Sequence, residues 1–284
     1  MTPQQAQPEA GQDLDTDLWF GLLGPVEART GGLPVDLGPR QRRVLLIRLL
    51  VENGRPVSMD QLCDDLWAGN PSTGAVSAVR AHISRLRSAL EPAQTARGQG
   101  QLLMSGPGGY SLCVPDTARD TVRFERALEQ TRRFLEAGQT AAARDEVDRA
   151  LNSWRGRALA DAQDHAYASE ECWRLEELRH VALELRITVL MTQGDYGQAV
   201  TAAQHLTVQQ PLRETAWVLL LRSLQMAGRA AEAVQQYNRV RRLLFAELGL
   251  EPGPALRQVR TDIQHHRVRP VLGQAVRSMN TTDR

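Results

Sequence analysis

The sequence predicts a small α+β domain followed by a wholly helical one. Three observations carry that prediction. Short strand-like runs between Gly- and Pro-bearing turns occupy residues 18–37. Apolar residues spaced three and four apart take over after Gly38. From about residue 120 to Arg267 the helical spacing is almost unbroken. A length of 284 residues suits two domains.

Taken in order, residues 1–17 lack the basic region and apolar core of a signal peptide and read as a short disordered leader. "LWFGLLG", "VEART" and "VDL" read as strands. "PRQRRVLLIRLLVENG" reads as a helix whose apolar set is Val44, Leu45, Ile47, Leu49 and Leu50, stopped at Gly54. In "VSMDQLCDDLW", Ser58 and Gln61 form a capping box, and Leu62, Leu66 and Trp67 form the buried side. A helix over 75–90 follows, and "LLMSGPGGYSLCV" then reads as a β-hairpin. Sheet, three helices, hairpin is the order of a winged helix-turn-helix, here placed at 18–115.

Seven helical segments are predicted beyond it: 121–137, 140–154, 168–193, 196–209, 212–227, 230–248 and 254–266. Gly194 and Gly228 are 34 residues apart, as are Ala199 and Ala233. That is the tetratricopeptide period, with Gly at a turn and a small residue where paired helices cross. The predicted class is therefore an α+β winged helix-turn-helix domain followed by an all-α tetratricopeptide-like domain at 120–267, with a flexible tail at 268–284. An ordinary helical bundle is the competing reading, but a bundle requires no fixed period.

Composition narrows the chemistry. All 34 basic residues are Arg, which excludes a Walker A lysine, a Schiff-base lysine and a Ser-Lys dyad. Net charge is +1, so any nucleic-acid contact must rest on local charge and shape. Cys63, Cys113 and Cys172 are too far apart for a metal-ligand motif or a disulfide framework, which suits a reducing cytoplasm. No run is long enough to span a bilayer. His180 and Glu184 stand four apart, but "HVALE" is no zincin motif, and the adjacent His265 and His266 cannot face one metal from one helix side. There is no nucleophile elbow. No enzyme activity, cofactor or metal is expected.

The helix "AVSAVRAHISRLRSAL" carries the functional signal. Val76, Val79, Ile83, Leu86 and Leu90 form its apolar stripe. The opposite side reads Gly74, Ser77, Ala81, Ser84 and Ser88, and no Asp or Glu occurs between Leu66 and Leu90. A phosphate-lined groove excludes carboxylates in this way, and small side chains let a helix sit deep among base edges. A helix covered by another domain would also favour small residues, but the hydroxyls and the flanking Arg80, His82 and Arg87 weigh against that. Arg85 projects outward. Arg87, at the stripe edge, has two readings: a phosphate contact, or a core brace paired with Asp64 or Asp65. Arg40, Arg42 and Arg43 read either as phosphate anchors at a helix N-terminus or as a solvated first turn, the second being stronger for Arg43. The hairpin itself carries no basic residue, and only Arg97 lies near it.

On these residues the chain resembles the Streptomyces antibiotic regulatory proteins. The likeness runs from about Leu18 to about His266, through "FGLLGPVEA", "LGPRQRRVLLIRLL", "NGRPVSMDQLCDDLW", "VRAHISRLRSAL" and "GGYSL". It continues through "LNSWRGRALAD", "RLEELRHVALELRI", "PLRETAWVLLLRSLQMAGRAAEAVQQYNRVRRLL" and "ELGLEPGPALR". The resemblance implies an OmpR-type winged helix followed by a bacterial transcriptional activation domain. It implies an activator of secondary-metabolite gene clusters that binds promoter direct repeats as two copies. Such an activator recruits RNA polymerase, including its principal sigma factor. Carried over, Thr73, Ser77, Arg80, Ala81 and Ser84 would face bases, while Arg40, Arg42, Arg85 and Arg87 would hold phosphate. It further implies a small family member without NTPase, sensor or receiver modules. A helical adaptor or a ligand-sensing regulator without direct activation is the alternative.

Overall fold

The computed structural model describes residues 18–91 and 102–265. The expected leader and tail, and Arg97 near the hairpin, lie outside them. Two compact units are present. One holds the chain up to Val122 together with Arg155–Trp173; the other holds Arg123–Trp154 and the residues from Arg174 onward. The partition is discontinuous in sequence, whereas the sequence reading draws a single boundary between residues 115 and 120.

In the first unit, β1 (Leu18–Gly21), β2 (Glu27–Thr30) and β3 (Leu33–Pro34) form an antiparallel sheet in that order. The third strand is thus earlier than the "VDL" of the sequence reading, although Val35 still donates its N–H to Ala28 O at 2.9 Å. Next come α1 (Arg40–Val51), α2 (Met59–Leu66), α3 (Ala75–Leu90) and the hairpin β4 (Leu103–Gly106) with β5 (Gly109–Leu112). Val44, Leu45, Leu46, Ile47, Leu49 and Leu50 of α1 are all buried, because α2, α3, β5 and a short 3-10 turn at Ala160–Ala162 pack around that helix. The capping box of α2 forms as its sequence requires: the Gln61 N–H donates to Ser58 Oγ at 3.1 Å, and the Ser58 N–H donates to Gln61 Oε1 at 3.2 Å. Trp67, expected on the buried side, is only half-buried at the helix end, and Cys63 takes the inner position.

The hairpin is locked to the segment before α2. Val57 and Tyr110 exchange both backbone hydrogen bonds, at 2.8 and 2.9 Å. Gly109 makes this approach possible: its φ is +116°, and a Cβ there would stand 1.9 Å from Val57 O. Gly109→Ala combines a backbone clash with a disfavoured φ. It should cost about 2–3 kcal/mol, read as a lower urea midpoint with an unchanged slope.

Residues 155–173 form a strap that completes the first unit. Arg155 and Leu159 donate backbone N–H groups to Leu23 O and Leu22 O at 2.7 and 2.9 Å. Asp161 accepts from Val26 N at 2.8 Å, and the Tyr167 hydroxyl donates to Val44 O at 2.9 Å. The buried carboxylate of Asp120 accepts the Leu22 and Leu23 amides, and Arg155 pairs with it at 3.0 Å. Burial pushes the Asp120 carboxyl up, against the pull of those amides and of Arg155.

The remaining helices are α4 (Asp120–Glu136), α5 (Thr140–Asn152), α6 (Ala166–Thr192), α7 (Tyr196–Gln209), α8 (Glu214–Met226), α9 (Ala230–Leu248) and α10 (Pro254–Gln264). Their bounds lie within two residues of the predicted ones. In the second unit α8 is central: α7, α9 and α10 all pack on it, around Trp217, Leu220, Leu221 and Leu224. The 34-residue echo has a physical basis. Gly194 and Gly228 both adopt left-handed φ, +79° and +74°, and end their helices with paired hydrogen bonds: Gly194 to Met191 O with Asp195 to Leu190 O, and Gly228 to Gln225 O with Arg229 to Leu224 O. Ala199 and Ala233 are fully buried five residues on. A third copy escaped the sequence reading: Gly138, at φ +72°, and Gln139 bond to Leu135 O and Phe134 O in the same way, and Ala143 is fully buried.

Candidate nucleic-acid interface

The side chains of the first unit that could meet DNA converge on α3. Its N-terminus is left unusually bare: Gly74 at the cap position contributes no side-chain hydrogen bond, and the first turn holds no acid. The positive end of the helix is therefore uncompensated. Thr73, Ser77, Arg80, Ala81, Ser84 and Arg85 are all exposed, as are Gly74 and Ser88. The small residues form one continuous solvent-facing ridge. Arg80 and Arg85 have no hydrogen bond or ion pair among the described residues. Where it does not meet solvent, α3 packs on α1 and α2 through Ala75, Val79, Ile83, Leu86 and Leu90.

That buried set corrects the predicted stripe at its first position. Val76 is 39% exposed and Ala75 is buried in its place. The first turn meets the core through one small side chain, and the larger neighbour is turned out.

The remaining expected contacts separate by what holds them. Arg42 has no ion pair among the described residues. Its guanidinium folds back over Gly38, and its Nε is buried without a hydrogen-bond partner. Burial holds the His82 imidazole below the usual histidine range, reinforced by the charges of Arg42 and Arg85. The Arg42 and Arg85 guanidiniums therefore place positive charge beside an imidazole that they help to keep uncharged. Arg40 is engaged elsewhere: Nη2 pairs with Asp164 at 2.8 Å, and Nε donates to Asp161 O at 3.1 Å. The Arg40–Asp164 pair is open to solvent, with side chains 54% and 82% exposed, so its net worth is small. Arg43 is held by Asp161 at 2.9 Å and by Gly38 O at 2.7 Å. No sequence signal announces these pairs, whose members lie more than 110 residues apart.

Arg87 braces the domain by a route that neither reading anticipated. Its Nε donates to Leu103 O at 2.8 Å, and the guanidinium lies 6.0 Å from the Tyr110 ring centroid, so it ties α3 to the hairpin. The expected partner Asp65 is taken by Arg48, at 2.5 Å. Among the described residues no group of three or more His, Cys, Asp or Glu side chains is placed to hold a metal, and no helix is long and apolar enough to cross a membrane.

Comparison with known proteins bears on both units. Residues 119–264 match the family described as bacterial transcriptional activator domain, and residues 32–103 match transcriptional regulatory protein, C terminal. The transcriptional regulator RedD of Streptomyces coelicolor is 34% identical over 244 residues, which covers 86% of this chain and 69% of RedD. The chain belongs to the Streptomyces antibiotic regulatory protein family. Another relative in this family comparison, the regulatory protein AfsR of Streptomyces coelicolor, is 36% identical over 264 residues. The chain spans only 26% of the length of AfsR, although the match covers 92% of the chain itself. Among solved structures, Mycobacterium tuberculosis EmbR in complex with a low-affinity phosphopeptide aligns with a TM-score of 0.85 and 28% identity, covering 94% of this chain and 70% of that one. The chain thus has the fold class of this family, a winged helix-turn-helix region followed by an all-helical activator domain.

Proposed function

We propose that the chain is a sequence-specific, double-stranded-DNA-binding activator of a secondary-metabolite gene cluster. The observation that carries the reading is the exposed, acid-free ridge of α3, flanked by Arg80 and Arg85, which have no ion pair among the described residues. Small side chains at Gly74, Ser77, Ala81, Ser84 and Ser88 let the helix axis approach the groove floor, and Thr73, Ser77 and Ser84 offer hydroxyls to base edges. Arg80 reads a base, while Arg42 and Arg85 hold phosphate. Arg87 contributes by organising the domain, since it is already bonded within it, and Arg40, whose ion pair is open to solvent, joins Arg42 and Arg85 at the phosphates. Two copies lie head to tail on a promoter direct repeat. A spacing of ~10–11 bp puts both recognition helices on one face of the duplex. The helical unit supplies protein contacts that recruit RNA polymerase with its principal sigma factor, in the cytoplasm at the nucleoid. No covalent chemistry is required, since recruitment is a coupling free energy between bound proteins.

Selection from random duplexes, followed by gel-shift titration against salt, tests this. A preferred sequence should emerge, and its affinity should fall with rising salt through counterion release. Arg42→Ala should weaken all sequences about equally and reduce the salt slope by about one. Arg80→Ala should relax one base position at ~1–3 kcal/mol. If no sequence outcompetes random DNA at any salt, the reading fails.

A further inference from the structure

Val76 is an apolar residue set outside the buried stripe of its own helix. It is the exposed large apolar side chain of α3, at 39%, while the buried stripe runs through Ala75 and Val79. It stands in the first turn, with exposed Arg80 one turn on along the same face and exposed Thr73 and Ser77 close by in the chain. A Cβ placed on Gly74 would meet no atom within 4 Å, so this end of the helix is open. A β-branched residue there is a weaker helix former than Ala and leaves apolar surface in water. Its branching also fixes its rotamer in a helix, so its two methyl groups are held in place before any partner arrives.

The partner must then be apolar, small and set among hydrogen-bonding groups. The major groove offers one such feature, the 5-methyl group of thymine. We infer that Val76 reads a thymine methyl in the operator half-site, beside the base read by Arg80. This rests on the assignment of α3 as the DNA-reading helix, and it adds a base identity to that assignment.

The test uses the full chain and the sequence it selects from random duplexes. Each thymine of the half-site is replaced in turn by uracil, which removes only the methyl group. At one thymine the replacement should weaken the wild-type chain about fourfold, the factor for burying one methyl group. Val76→Ala should bind the thymine and uracil duplexes equally at that position, with an unchanged melting temperature. If every uracil replacement costs the variant what it costs the wild type, the inference is overturned while specific DNA binding stands. The same holds if Val76→Ala loses only the second bound copy. If the wild-type chain selects no sequence at all, the DNA-reading assignment fails and takes this inference with it.

Discussion

A fragment ending at Val122 should not hold the fold of the first unit, although it contains every strand and helix of the winged helix-turn-helix. It lacks the strap. Without residues 155–173, the Leu22 and Leu23 carbonyls lose their amide partners and Asp161 no longer accepts from Val26. The buried Asp120 carboxylate loses Arg155, its paired cation. The faces of α1 that pack on Ala160–Ala162 and on Tyr167 open to water. Leu159 and Ala162, both fully buried, go with the strap. Losing a fully buried leucine side chain alone costs ~2–5 kcal/mol, and a domain of this size is stable by only ~5–15 kcal/mol. The fragment should therefore show weak near-ultraviolet dichroism and poor amide protection. Replacing residues 123–154 by a short Gly-Ser linker, so that the strap is restored, should recover both. A cooperative unfolding transition in the fragment without the strap would show that the strap is dispensable.

Arg213→Ala should be the most damaging single substitution in the second unit. Glu184 is a carboxylate only 5% exposed, and it accepts from Arg213 Nε and from Thr215 Oγ1, both at 2.6 Å. Arg213 also holds Glu177 at 2.6 Å. Removing the guanidinium strands a buried charge, and breaking one side of such a pair costs ~3–5 kcal/mol. Glu184→Gln combined with Arg213→Leu should cost less than Arg213→Ala alone, because no buried lone charge is left and the Glu177 carboxylate that loses Arg213 is open to solvent. Acid sensitivity follows from the same cluster. Burial alone would push Glu177 up, but the hydrogen bond and charge of Arg213, with His180, hold its carboxyl below the usual range. A depressed carboxylate stabilises the folded state above its unfolded pKa of about 4.3, and that contribution is lost as pH falls through the folded value. Melting temperature against pH should therefore drop below about pH 4.5 in the wild type, and more gradually in Arg213→Ala. A melting temperature within 2 °C of wild type at neutral pH would overturn the assignment.

Local punctuation explains which parts of this molecule are legible in its sequence. Helix bounds follow capping boxes, Gly stops and a Pro start, all of which act within a few residues. Gly249, left-handed at φ +67°, ends α9, and Pro254 opens α10, so "ELGLEPGPALR" reads as stop and restart. The exposed ridge of α3 is equally legible, since helical spacing alone puts those residues on one side. What is not legible depends on distant chain. Whether Ala75 or Val76 faces inward is decided by what packs on the first turn. Arg40 and Arg43 meet acids on the strap, and Arg87 finds a backbone carbonyl, which leaves no residue type to search for. The third Gly-to-Ala turn did leave a signal, since Gly138 and Ala143 repeat the five-residue interval. The long α6 breaks the 34-residue period and hides it.

The three matching turns also set an order of assembly. Each is closed by hydrogen bonds that reach back three and five residues, so each can form as soon as its own two helices exist. The strap bonds are the reverse case, joining Leu22 and Leu23 to residues more than 130 positions later. Loop closure over such distances is slow and must wait for synthesis to reach them. At ~5–20 residues per second, the roughly fifty residues from Val122 to Trp173 add ~3–10 s on the ribosome. The winged helix, which leaves the ribosome before the helical unit, is thus among the last parts to close, after the hairpin of α4 and α5 has emerged.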